Sequence, residues 1–219
     1  MDDARLLETL ESFCARICHD LVGPVGAIAN GVELLTEDGA SLDGEVVALI
    51  AGSARSASRR LQFFRGAFGA GNTVSGGQPI EGARALAIPF FEDGKLRLAW
   101  PAPPPALEAR ADRSRARLIL NLLLVAADCL PRGGELDVDI VPEAGDELGI
   151  AIRAQGNQAR LADENRAALG AEGPALPPGS PRAIPAWLAR LVLVQLGGRL
   201  GVEEQPGSVR LSVRLPARR

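Results

Sequence analysis

The chain has 219 residues, of which 47% are hydrophobic and 23% charged, with a formal net charge of -3. This is the balance of an ordinary globular protein, long enough for a helical module and one compact domain, and its slight acidity gives no general electrostatic reason to bind nucleic acid. Three cysteines make no disulfide framework, no early segment has the grammar of a signal peptide, and no apolar run approaches the roughly 18 residues of a membrane span. A reducing cytoplasm is the expected compartment, with no membrane partner.

The first element is a long amphipathic helix. Leu6, Leu10, Phe13, Ile17, Leu21, Pro24, Ile28, Val32 and Leu35 recur at intervals of three or four. The single histidine of the chain, His19, falls two residues after Ile17, off this seam and on the flank that faces water, beside Asp20. Exposed imidazoles titrate near ~6.5, so such a ring offers a nucleophilic nitrogen around neutral pH. Asp20 is placed to accept a hydrogen bond, and Pro24 removes the amide that would have bonded its carbonyl. Cys14 and Cys18 precede His19 at CxxxCH spacing, one residue too long for haem attachment and without the four ligands of structural zinc. They read as small thiols in a helix interface.

After a turn-like stretch at 36–44, a second seam runs through Val46, Ile50, Ser53, Ala57, Leu61, Phe64 and Phe68, which predicts an antiparallel hairpin. Leu34, Leu49 and Phe63 at the helix edges make the apolar stripe too wide for one partner. A second copy is the economical cover, giving a four-helix bundle and a homodimer. Residues 1–70 are thus expected to form the hairpin module. The Gly-, Ser-, Asn- and Thr-rich stretch at 71–78 is a linker, and 79–219 a second domain.

In that domain, helices are predicted at Ile80–Phe91, Arg113–Leu130, Ala162–Leu169 and Ile184–Leu196. Strands are predicted at Leu96–Trp100, Glu135–Val141, Leu148–Ala154, Arg199–Glu204 and Val209–Leu215. Pro101–Pro105 and the Gly/Pro-rich 170–181 read as connections. Helices laid on one face of a mixed sheet make a two-layer α/β sandwich, so the fold class is α plus α/β.

Cys18-His19-Asp20-Leu21-Val22-Gly23-Pro24 resembles the H-box of the dimerisation and phosphotransfer domain of histidine kinases. The second domain is similar to their ATP-binding (Bergerat, GHKL) domain, with its working residues replaced. Asn121 to Ala126, followed by Pro131, Gly133 and Gly134, resembles the N-box, but Val125 stands where the family needs a magnesium-holding Asn. Ile150, Ile152, Ala154, Gly156 and Gln158 follow the DxGxG spacing, with Ala154 in place of the adenine-reading Asp and Gln158 in place of the second Gly. Pro185 occupies the Gly-rich lid.

The whole, roughly Leu6 to Pro216, resembles the ChpT-type histidine phosphotransferases, dimeric relay proteins built like a kinase with a degenerate ATP site. The resemblance implies reversible phosphoryl transfer through phospho-His19, with Asp20 orienting the imidazole. The implied partners are receiver domains of a hybrid kinase and of response regulators, approaching over Ala15, Arg16, Val22, Gly23 and Gly26. No cofactor of its own is implied, since the magnesium comes with the receiver. Val125, Ala154 and Pro185 weigh against the alternative of an active but divergent kinase, and His19 and Asp20 against a non-catalytic dimeric scaffold.

Overall fold

The first two seams fold into antiparallel helices, α1 (Asp3–Glu37) and α2 (Gly44–Phe68). The computed structural model describes residues 3–37, 44–69, 78–92, 94–170 and 179–217. Most of the turn expected at 36–44, of the linker at 71–78 and of the loop at 170–181 lies outside the described residues. Helix α1 runs through Pro24 without interruption. The pair closes tightly at Gly31, where an added Cβ would lie 2.5 Å from Ile50 Cγ1. Near the other end Phe13 sets its edge on Phe68, with ring centroids 5.2 Å apart.

The last two turns of α2 depart from the expected hairpin. Leu61, expected on the seam, is exposed, whereas Phe63, expected at an outer edge, is completely buried. The reason is a third helix, α3 (Pro79–Glu92), which takes the outer face of α2 there. Phe63 stacks on Phe90 at 4.1 Å and meets Phe91 edge-on. Phe63, Phe64 and Ala67 thereby join the core of the following domain. Cys14 and Cys18 are exposed in the single chain, and Cys129 is buried.

That domain continues with β1 (Leu96–Ala99), α4 (Pro105–Glu108), α5 (Arg113–Asp128), β2 (Gly134–Pro142), β3 (Leu148–Gln155), α6 (Asp163–Leu169), α7 (Ile184–Gln195), β4 (Arg199–Gln205) and β5 (Ser208–Leu215). The strands form one sheet in the order β1-β2-β3-β5-β4, parallel at β1/β2 and antiparallel elsewhere. Side chains alternate as the pleat requires. Leu136, Val138, Ile150, Ile152, Leu211 and Val213 are buried beneath the helices. On the other face Asp137, Arg153, Arg210 and Glu203 stand in one row across four strands, solvated and of mixed sign. The result is the expected helical hairpin followed by a two-layer α/β sandwich. Among the described residues no helix is long and apolar enough to cross a membrane.

Helix α5 is the axis of the core, with eleven of its residues, Arg115–Ala116 and Leu118–Ala126, buried. Asp112 caps it by accepting the Arg115 amide at 3.0 Å. Asn121, wholly buried, donates its amide hydrogens to the carbonyls of Ala67 at 2.7 Å and Arg117 at 2.9 Å. The first bond ties the end of α2 to the middle of α5. Glu108 fastens α3 in a similar way, accepting the amides of Ile80 at 3.0 Å and Glu81 at 2.6 Å at the start of that helix.

Gln158 keeps a backbone φ of 63°, the left-handed conformation that favours glycine. Its side chain is exposed, so nothing visible offsets that strain. Replacing Gln158 with glycine is expected to raise folding stability by roughly 0.5–1 kcal/mol, read as a higher urea midpoint at unchanged slope.

Candidate functional site

Arg16, His19 and Asp20 lie at helical spacings of three and four on α1, so their side chains share one side of the helix. The His19 side chain is 86% exposed. Its Nδ1 lies 3.0 Å from Asp20 Oδ1. An ionised carboxylate can only accept, so a neutral imidazole in this contact carries its proton on Nδ1 and leaves Nε2 with a free lone pair. The second oxygen of Asp20 accepts from Arg16 Nε at 3.1 Å.

Arg16 reaches further. Its Nη1 donates to Asp128 Oδ2 at 3.3 Å, a contact between residues 112 apart in sequence. The side chains of Arg16 and Asp20 are only 11% and 15% exposed, and that of Asp128 21%. Asp128 is the last residue of α5, so the sandwich domain itself supplies the outer end of the chain of contacts Asp128–Arg16–Asp20–His19. Burial pushes the Asp128 carboxyl above its ordinary range, against the opposing pull of Arg16 and, more weakly, of Arg182. Burial, with the nearby Asp128 charge, likewise lifts the Cys129 thiol to about 12, which leaves it a thiol at neutral pH.

These residues open onto a cleft of about 520 Å³ between the hairpin and the sandwich. Ala15, Arg16, His19 and Asp20 line it from α1. Asp128, Glu164, Ser180, Pro181 and Arg182 line it from the other domain. Ser180 donates to Glu164 across 2.5 Å, which fixes the polar wall, and Arg182 is exposed at the rim.

The structure thus brings together His19, Asp20, Ala15 and Arg16. Val22, Gly23 and Gly26 lie beyond His19 on α1 and do not line the cleft. Val22 and Gly23 are exposed and Gly26 half-buried. An added Cβ at either glycine would meet nothing within 4 Å, so the helix surface there is open to close approach. Arg16, placed by sequence at an interaction surface, has its guanidinium engaged by two carboxylates. Asp128, Glu164, Ser180 and Arg182 were not singled out from the sequence. The one local signal for Asp128 is a charged residue ending a strongly apolar helix.

The positions at which the sequence resembles a nucleotide site are packed. Val125 and Ala154 belong, with Leu161, Leu169 and Ala183, to one continuous buried core. Pro185 is buried in the first turn of α7. Both amide hydrogens of Asn121 are spent on backbone carbonyls. Among the described residues no group of three or more His, Cys, Asp or Glu side chains is arranged to hold a metal ion.

Residues 80–208 match the family described as histidine phosphotransferase C-terminal domain. Over 125 residues the chain is 43% identical to the protein phosphotransferase ChpT of Brucella abortus (strain 2308), an alignment that spans 57% of each protein. A solved structure described as a bacterial phosphotransferase is similar over 94% of this chain and 96% of its own, at 28% identity and a TM-score of 0.72.

Because Val125 is fully buried in α5, an amide in its place would have no water and no prepared partner. The substitution Val125→Asn is expected to lower stability by about 2–3 kcal/mol in denaturant unfolding.

Proposed function

We propose that this chain, which belongs to the histidine phosphotransferase family, carries phosphoryl groups between receiver-domain aspartates through His19 and does not use ATP to load itself. The observation that carries this reading is the exposed imidazole, with Nδ1 held by Asp20 and Nε2 left free. The lone pair of Nε2 attacks the phosphorus of a receiver's aspartyl phosphate. A P–N bond forms, the P–O bond to the carboxyl breaks, and the aspartate leaves as a carboxylate. The Nδ1 proton stays in place, and its contact with Asp20 balances the positive charge that the ring acquires. In the return step a second receiver's carboxylate attacks the same phosphorus and the neutral imidazole is released. No net proton is gained or lost over the cycle.

Such a transfer depends on in-line positioning and on neutralising the phosphoryl charge. The receiver brings the divalent metal ion for the latter, so this chain needs only a fixed nucleophile and room for a close approach. The donors and acceptors are the receivers of a hybrid kinase and of response regulators, in the cytoplasm. The apolar packing at Val125, Ala154 and Pro185 supports the reading that no nucleotide cofactor is used.

The unit that acts is a homodimer. Leu7, Leu10, Val25 and Val32 form a stripe on α1 that is 47–58% exposed. Cys14 and Cys18 lie along it. A stripe of this period is what a second hairpin covers in a four-helix bundle. His19 is six residues from Val25, about 120° around the helix, and so stays outside that interface.

Acid-labile label should appear on the wild type from a phosphorylated receiver and not from ATP, and on His19→Ala from neither. Label from ATP would make the chain a kinase, and none from a panel of receivers would leave a scaffold. For assembly, Val25→Glu should halve the mass found by light scattering, with the helical circular dichroism retained.

A further inference from the structure

The geometry points to Asp128 as a positioning residue for His19, through which the sandwich domain selects the reactive nitrogen of the imidazole. The inference rests on the relay reading above and assigns that domain a part in it.

Three contacts in series carry the argument. Asp128 Oδ2 accepts from Arg16 Nη1 at 3.3 Å. Arg16 Nε donates to Asp20 Oδ2 at 3.1 Å. Asp20 Oδ1 meets His19 Nδ1 at 3.0 Å. The guanidinium is a planar fork, so carboxylates on two of its nitrogens fix both its plane and its reach. With Asp128 in place, Arg16 is shared and engages only one oxygen of Asp20. The other oxygen remains turned to the imidazole. Among the described residues Asp128 is the second carboxylate on Arg16, and without its charge a bidentate grip on Asp20 competes directly with Nδ1–H. The ring then drifts toward protonation on Nε2, where no lone pair is left for phosphorus.

The energetics of Asp128 fit a role other than stability. A carboxyl whose folded pKa is raised contributes stability only in its protonated form, below the unfolded value, and that contribution is lost as pH rises through the folded value. At neutral pH the Asp128 charge therefore costs folding free energy, with burial as its main cause. Arg16 already has Asp20 as an ion-pair partner on its own helix, so its guanidinium does not require Asp128 for neutrality.

His19 is the only histidine of the chain, so its two ring nitrogens give the only imidazole signals in a ¹⁵N spectrum of the untagged protein. In the wild type above the imidazole titration, the protonated nitrogen should be Nδ1. In Asp128→Asn the protonation should move toward Nε2. Labelling of His19 by phosphoramidate, a small donor that needs no docking surface, should slow by about tenfold, while the urea midpoint stays equal or rises. Asp128→Glu, which keeps the charge, should recover the wild-type tautomer.

Unchanged imidazole signals and labelling rate in Asp128→Asn would overturn the inference and leave the relay standing. A lowered urea midpoint with unaltered imidazole signals would also overturn it, by making Asp128 a structural anchor. If wild-type His19 takes no label from phosphoramidate or from any phosphorylated receiver, the relay reading itself falls.

Discussion

One side-chain amide governs where the two modules stand. Asn121, at the centre of the buried helix α5, holds the carbonyl of Ala67 at the end of α2. A broken hydrogen bond in a buried apolar core costs the desolvation of both groups, and so the position is steeply defined. The phenyl rings of Phe63 and Phe64 add apolar area around the same point. Because α2 is fixed to α5, its partner α1 is carried over the end of α5, and Arg16 comes within reach of Asp128. A contact inside the core thereby sets the geometry of a surface site.

The same core fills the positions at which the sequence resembles a nucleotide site. At Val125 and Ala154 the helix and the sheet meet through buried apolar side chains, and Asn121 serves as a backbone clip.

Much of this was legible in the sequence, because periodicity reports local geometry. The strands at Glu135–Val141 and Leu148–Ala154 and the helix at Ile184–Leu196 fall within one residue of the observed ends. Their alternation and seams follow from which face meets the core. His19 and Asp20 stood out for a similar reason, as polar neighbours beside an apolar stripe. Phe63 was misplaced because its burial depends on α3, and no count along α2 can show which neighbour arrives on its outer side. Asp128 and Arg182 were missed on the same ground. Their significance is a distance to α1, more than a hundred residues away, and distances of that kind are written in the packing of the whole chain.

The near-complete exposure of His19 also sets a clock on the proposed relay. A phosphoryl group held on Nε2 would project from a side chain that is 86% exposed among the described residues, which leave its phosphorus open to water. Its lifetime would be close to the intrinsic lifetime of a P–N bond, so a signal not collected by a receiver within that interval fades by hydrolysis. Such a carrier holds no long memory of its input. Its output follows the recent balance between donor and acceptor rather than their history.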